Sequence, residues 1–341
     1  MPLIHFTERG LYCPRADVYI DPWLPVSKTL ITHAHADHAR PRMGSYLSHH
    51  DSVAVMRQRL GDISAEGVRY GEKKKVNGVE ITFLPAGHIP GSAQIRLASE
   101  GEVWVISGDY KLENDGLCEP FEPVKCSHFV TESTFALPVY QWDEAGNVMA
   151  SIERWWQQNS AEGLCTVLQC YSLGKAQRLL HALSQEIGEI FVHGAIHNTN
   201  EALKTAGYKF PHAQYLDASV DGKRLRGAMV LAPPSAIGSS WLKKLKPCKV
   251  GAVSGWMSLR GTRRRKNFDR GFVLSDHADW KGLNTAVLSS GAEHVYVTHG
   301  YSHVFAKWLR SQGYQAQAID TAFGGEDEDA EQDEPANPES N

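Results

Sequence analysis

The sequence predicts an α/β protein in which a parallel strand–helix unit is set between two stretches of different texture. Strand, turn and amphipathic helix recur in order through LCTVLQCYSLGKAQRLLHAL, EIFVHGAIHNTNEALKTAGY and AMVLAPPSAIGSSWLKKL, the rhythm of a parallel α/β unit over about 135–255. Residues 1–134 read instead as short strands and turns with little helix. The last stretch, FVLSDHADW through VYVTHGYSHVFAKWLRSQGY, returns to strand–loop–helix.

In chain order, MPLIHFTERGLYCPRAD carries a charge every few residues and no apolar run of signal-peptide length. TLIT reads as a strand, and SVAVMRQRLG as a helix ending at Gly61. GVEITFLPAGH and EVWVISGDY are apolar, β-branched runs, each ending in a Gly-containing turn. No segment approaches the ~20 apolar residues of a membrane span. Apolar residues make up 42% of the 341, enough for a sizeable core. The six cysteines show no CxxC pairing, which favours free thiols in a reducing compartment, the cytoplasm.

The net charge of −4 mixes two regions. Residues 326–341 hold eight acids and no base, a composition expected to stay disordered. From Gly222 to Arg270, by contrast, there are thirteen Lys and Arg against one acid, Asp269. Such a cationic segment is either a solvated face or a track for phosphates, with Arg260, Arg263, Arg264, Arg265 and Lys266 as the candidate contacts.

The chemistry concentrates at His33-Ala-His35-Ala-Asp37-His38, four metal-binding groups in six residues after a strand. Nitrogen and oxygen donors at this spacing suit zinc. On a loop, His33 and His35 can diverge toward one ion and Asp37 and His38 toward a second. Ten of the sixteen histidines (5, 49, 50, 128, 181, 193, 197, 212, 294 and 303) are expected at the surface or hydrogen-bonded in the core. His193, ending a strand in IFVHG, is the most open to another role, and the Trp155–Trp156 pair is expected in the core.

HxHxDH resembles the signature of the metallo-β-lactamase superfamily, and other motifs follow in family order: Asp21 in YIDPW, His88 in PAGHIPGSAQ and Asp109 in ISGDY. Glu132 in TESTF, His277 in SDHADW and His299 in VTHGY resemble motifs A, B and C of the β-CASP nucleases. Nearly the whole chain is similar to the bacterial ligase-associated DNA exonucleases, through GLYCPRADVYIDPW, ITHAHADHARP, SGDYK, TESTFALPVY, SGWM and GFVLSDHADW.

The resemblance implies a metallo-β-lactamase αββα sandwich split into 1–134 and 256–323, a β-CASP cap at 135–255, and a tail at 324–341. It implies two divalent ions, zinc or alternatively manganese. His33, His35 and His88 would hold the first, Asp37, His38 and His299 the second, with Asp109 bridging and Asp21 steadying the His loop. It further implies hydrolysis of DNA phosphodiesters by a hydroxide activated between the metals. Asp37, His277 and Glu132 are assigned to catalysis, His277 serving the leaving oxygen and Glu132 orienting it. DNA repair, a nucleic-acid partner, a functional link to a DNA ligase and no membrane association complete the expectation. A histidine at motif C is typical of RNA-processing members, so an RNA nuclease stays open, as does a catalytically inactive scaffold.

Overall fold

The computed structural model describes residues 2–237, 239–259 and 268–321. The candidate contacts Arg260, Arg263, Arg264, Arg265 and Lys266, and the acidic tail, lie outside the described residues. The fold is mixed α/β and divides into two compact units, the first made of residues up to Gln141 together with those from His277 onward, the second of Trp142–Asp276.

The first unit contains two sheets. One has six strands in chain order: β1 (His5–Thr7), β2 (Gly10–Cys13), β3 (Val18–Ile20), β4 (Thr29–Leu30), β5 (Tyr46–His49) and β6 (Ala65–Val68). The other joins β7 (Lys73–Val76), β8 (Val79–Pro85), β9 (Ala93–Ser99), β10 (Glu102–Ile106) and β11 (His128–Thr131) to two late strands, β18 (His294–Val297) and β19 (Gln315–Ala318), in the order β19-β18-β11-β10-β9-β8-β7. Strand alternation places the core. Trp104 and Ile106 on β10 join Ile81, Phe83, Ile95 and Leu97 against Ile20, Leu30 and Val68 of the first sheet, so the two sheets share one apolar interior. Val105 points to the opposite face, with Phe129, Val295 and Val297.

That outer face is covered by two helices, Trp280–Ser290 and Ser302–Ser311, through Leu283, Ala286, Val287, Phe305, Ala306 and Leu309. The first of these is capped by Asp279, whose carboxylate accepts from the Gly282 N–H at 2.7 Å, and stops at Gly291 in the left-handed conformation. The remaining helix, α1 (His50–Leu60), packs on β5 and β6 and ends at Gly61 as its sequence predicts.

The second unit is a six-stranded, all-parallel sheet in the order β14-β13-β15-β12-β16-β17. Its strands are β12 (Cys165–Gln169), β13 (Ile190–Val192), β14 (Gln214–Tyr215), β15 (Met229–Ala232), β16 (Cys248–Val253) and β17 (Arg270–Phe272). Both faces are buried, which is why MVLA is a continuous apolar run and not an alternating one. On one face lie α2 (Ala145–Ala161), α3 (Lys175–Ala182) and α4 (Gly194–Thr205), with Trp155 and Trp156 inside that core as the sequence suggests. The other face carries the one-turn α5 (Ser240–Lys243), with Trp241 and Leu242 against the sheet. The late helices of the first unit are then α6 (Trp280–Ser290) and α7 (Ser302–Ser311).

The sequence reading returned the chain to its first domain at residue 256. The structure moves that point to 276/277: Gly251, Ala252 and Val253 pair with Arg270, Gly271 and Phe272, so this strand belongs to the parallel sheet.

Candidate metal centre

Thr32, immediately before the HAHADH run, is the residue on which the candidate site is assembled. Its N–H donates to Asp21 Oδ1 at 2.8 Å and its hydroxyl to Asp21 Oδ2 at 2.6 Å, while its carbonyl accepts the Ala93 N–H at 2.8 Å. Gly108, at φ +56°, lies so near that a Cβ there would stand 2.7 Å from the Thr32 hydroxyl, so the turn carrying Asp109 can approach only without a side chain. The turns bearing Asp21, His33, His88 and Asp109 therefore meet at one strand end. The His88 turn is fixed separately, because Ser92 Oγ accepts the N–H groups of both His88 and Ile89.

The predicted ligand atoms converge. His33, His35, His88 and Asp109 form one group whose donor atoms all lie within 4.8 Å of one another, and His38, Asp109 and His299 form another. Asp37 joins His33 and His38 in a third such group. Asp109 Oδ2 stands 3.5 Å from His33 Nε2, 3.5 Å from His38 Nε2 and 3.8 Å from His88 Nε2. His299 stacks on His38 with ring centroids 5.2 Å apart. Asp21 is the acceptor for His38 Nδ1 at 2.7 Å, which turns Nε2 of that ring toward Asp37 and Asp109.

Two backbones in this set are strained. Asp21 has φ +42° and His299 φ +53°, in the left-handed region that side chains other than glycine's seldom adopt. His299 is held there by Ser133, whose hydroxyl donates to the carbonyls of Thr298 and His299.

Electrostatics favour a cation here. Burial, and then the charge on His38, holds His33 well below its ordinary pKa, so the ring is neutral. Burial also disfavours charge on His38, but the Asp37, Asp109 and Asp21 carboxylates outweigh it and hold that ring well above 6.5. Burial alone would raise Asp109; His38, His277 and His33 keep it well below the usual carboxylate range. Burial lowers His299. His33 Nε2 and Asp109 Oδ1 are buried and have no hydrogen-bond partner among the described residues. Orphaned lone pairs of this kind, in a nitrogen and oxygen donor set, fit divalent metal.

Beside the cluster, His277 Nδ1 lies 2.9 Å from Glu132 Oε2 and 3.0 Å from Oε1, and the Tyr110 N–H donates to the same carboxylate at 2.8 Å. Glu132, His277 and Asp109 have polar atoms within 4.8 Å of one another. Since Asp279 caps α6, His277 has no capping role.

Other clusters have structural explanations. His49 caps α1 by accepting the Asp51 N–H, and His50 Nε2 stands 2.8 Å from Asp51 Oδ1. Within the second unit, Asp276 is buried with Lys175 Nζ at 2.7 Å and with Arg178. Thr32, Ser92, Ser133 and this ion cluster were not foreseen. Hydroxyls and ion pairs that position a site have no spacing signature, and only the SDHADW motif pointed toward Asp276.

No protein-family model matches the chain. A protein of Opitutus terrae named "Probable DNA ligase" is 30% identical over 315 residues, covering 92% of this chain and 30% of that one. A ribonuclease of Thermus thermophilus is 25% identical over 59% of this chain and 48% of its own length. Cleavage and polyadenylation specificity factor subunit 3 of Dictyostelium discoideum is 29% identical over 35% of this chain and 16% of its own. The chain thus spans less than half the length of each of these relatives. A crystal structure of a protein of unknown function from Enterococcus faecalis shares the fold at TM-score 0.58 and 10% identity, over 79% of this chain and 74% of that one.

The chain is a homologue of the β-CASP nucleases of the metallo-β-lactamase superfamily. The match of 92% of the chain to a protein named as a DNA ligase is consistent with the likeness to the ligase-associated nucleases. Among the described residues no helix is long and apolar enough to cross a membrane.

Proposed function

We propose that the chain is a dinuclear metal-dependent nuclease that hydrolyses DNA phosphodiester bonds, acting as an exonuclease in DNA repair. The observation that carries this reading is the convergence of five candidate ligand histidines on Asp109, with Asp37 beside His33 and His38 and the Glu132–His277 pair next to them. His33, His35 and His88 would hold one divalent ion, Asp37, His38 and His299 the other, and Asp109 both. Zinc or manganese in those positions supplies Lewis-acid polarisation of the phosphate and of the attacking water.

The chain's own groups supply the rest. Asp21 fixes the His38 ring by accepting from Nδ1. Glu132 accepts from His277 Nδ1, which orients the imidazole and favours its protonated form, so that Nε2 can give a proton to the leaving oxygen. Arg260, Arg263, Arg264, Arg265 and Lys266 are assigned to the phosphate backbone.

In the same reading, the two-sheet unit with its helices is the metallo-β-lactamase sandwich and the parallel unit at 142–276 is the β-CASP cap. The work of such a repair nuclease lies in the cytoplasm, functionally linked to a DNA ligase.

An RNA substrate is the second reading, favoured by His299 and by the ribonuclease among the relatives. End-labelled single- and double-stranded DNA and RNA, each incubated with zinc, manganese or chelator, decide between them. Metal-dependent shortening of DNA from one end is expected. Cleavage of RNA alone would transfer the proposal to RNA, and no cleavage with two bound metals would overturn it.

A further inference from the structure

Four ring side chains of the second unit wrap the first turn of α4, and neither the metal centre nor the Glu132–His277 pair uses them. His193 ends β13, caps α4 by accepting the Ala195 N–H, and meets Trp241 of α5 edge-on, with ring centroids 5.0 Å apart. Tyr215, at the end of β14, lies against the next residue: a Cβ on Gly194 would stand 3.4 Å from its ring. Tyr215 then stacks on His197, one helical turn after His193, at 5.0 Å and 18°. Trp241 with His193 and Tyr215 with His197 therefore form a strip of two ring pairs joined at Gly194.

The strip is not closed off as core. Tyr215 is 43% exposed, and the other three rings are half-buried. Burial keeps the His193 ring below its ordinary pKa and so neutral, a flat partner and not a charge. Exposed Lys243, Lys244 and Lys246 follow Trp241 directly. Partly exposed flat rings beside lysines suit bases on a phosphate backbone, because every base offers a π-face and every nucleotide an anion. A protein partner would gain little from partly exposed rings flanked by three hydrated ammonium groups.

The position in the sheet agrees. The rings sit at the carboxyl ends of β13 and β14 and beyond that of β15, the edge at which open parallel sheets bind ligands.

We propose that Trp241, His193, Tyr215 and His197 are a base-stacking platform for single-stranded nucleic acid. The proposal rests on the nuclease reading for its class of ligand but not for its test. Binding of a fluorescent oligothymidylate 18-mer is measured by anisotropy with full-length protein in chelator, where nothing is cleaved. Tyr215→Ala and His197→Ala should each weaken binding about tenfold, while Tyr215→Phe, which keeps the ring, should bind as wild type. His197→Ala serves as the second variant should Tyr215→Ala fold poorly. With metal, KM for the 18-mer should rise in the Ala variants.

Affinity within twofold of wild type in both Ala variants overturns the platform, even if the protein cuts DNA. Equal loss in Tyr215→Phe and Tyr215→Ala overturns it too, since the ring would then be irrelevant. A protein that cuts no phosphodiester yet shows the ring-dependent binding loses the nuclease reading and keeps the platform.

Discussion

Glu132 and His277 are 145 residues apart in the sequence, and the imidazole Nδ1 of one lies 2.9 Å from the carboxylate of the other. Both side chains are buried, and both stand beside Asp109. A carboxylate on the far nitrogen of a ring is the arrangement that prepares an imidazole to deliver a proton.

That pair gives the first prediction. His277→Ala should retain bound metal and substrate affinity but lower kcat by about 10²–10⁴. Glu132→Gln should act in the same direction by less, and the double variant should be little worse than His277→Ala. A substrate with a leaving group that needs no proton should recover the activity of His277→Ala. Normal turnover of His277→Ala on an ordinary phosphodiester would remove the residue from the mechanism.

The second concerns Asp109, which belongs to both ligand groups, whereas His299 belongs to one. Asp109→Asn should cost the protein both metals, and His299→Ala mainly one. Plasma emission analysis of metal per chain distinguishes the two, and two full equivalents in Asp109→Asn would refute the bridging assignment.

The third concerns Arg263–Arg265, whose placement rests on sequence. Each lost phosphate contact should flatten the log–log salt dependence of binding by about 0.9 for duplex or 0.7 for single strands. Replacing all three by Ala should weaken binding to every sequence tested. An unchanged salt slope would return these residues to a solvated face.

Acid should expose His49, which gives the fourth. Burial, and then the charge on His50, pushes its pKa down from 6.5 to about 3. Unfolded, the ring takes up a proton near 6.5 that the native ring refuses until about 3. Its native stability is therefore complete above 6.5 and lost progressively below, by at most about 1.4 kcal/mol per pH unit. Urea unfolding at pH 7.5, 6.5 and 5.5 should show a steeper loss in wild type than in His49→Asn, which keeps a capping oxygen on α1. Parallel pH dependences would place the acid sensitivity elsewhere.

The fifth concerns Asp276, which is 3% exposed between Lys175 and Arg178. Asp276→Ala leaves two buried cations without this carboxylate and should cost about 3–5 kcal/mol in denaturant unfolding. Replacing all three with apolar residues of similar volume should restore much of that. A single variant as stable as wild type would show that the cluster is hydrated.

The candidate ligands were legible to different depths. HAHADH could be read directly, since four donors in six residues declare themselves whatever the fold. His88, Asp109 and His299 became candidates only through the order of motifs, because one histidine or aspartate at a strand end looks like any other. Thr32 was invisible: its hydroxyl on Asp21 and its carbonyl on Ala93 are properties of packing, and threonine in a strand needs no explanation. The alternation of strand, turn and helix predicted the parallel unit correctly. Its end was placed twenty-one residues early, at 255 and not 276, because the pairing of Arg270–Phe272 with Gly251–Val253 has no signature in the sequence.

The division of the first unit around the second has a consequence in time. Asp21 through Glu132 are synthesised first, yet His277 and His299 follow only after the whole parallel unit has been made. On the proposed assignment, a nascent or truncated chain that stops before residue 277 lacks both its proton donor and a ligand of one metal, however well its early strands have folded. On that assignment the order of residues along the chain acts as a safety catch, withholding the proposed nuclease activity from any copy that stops short of His277 and His299.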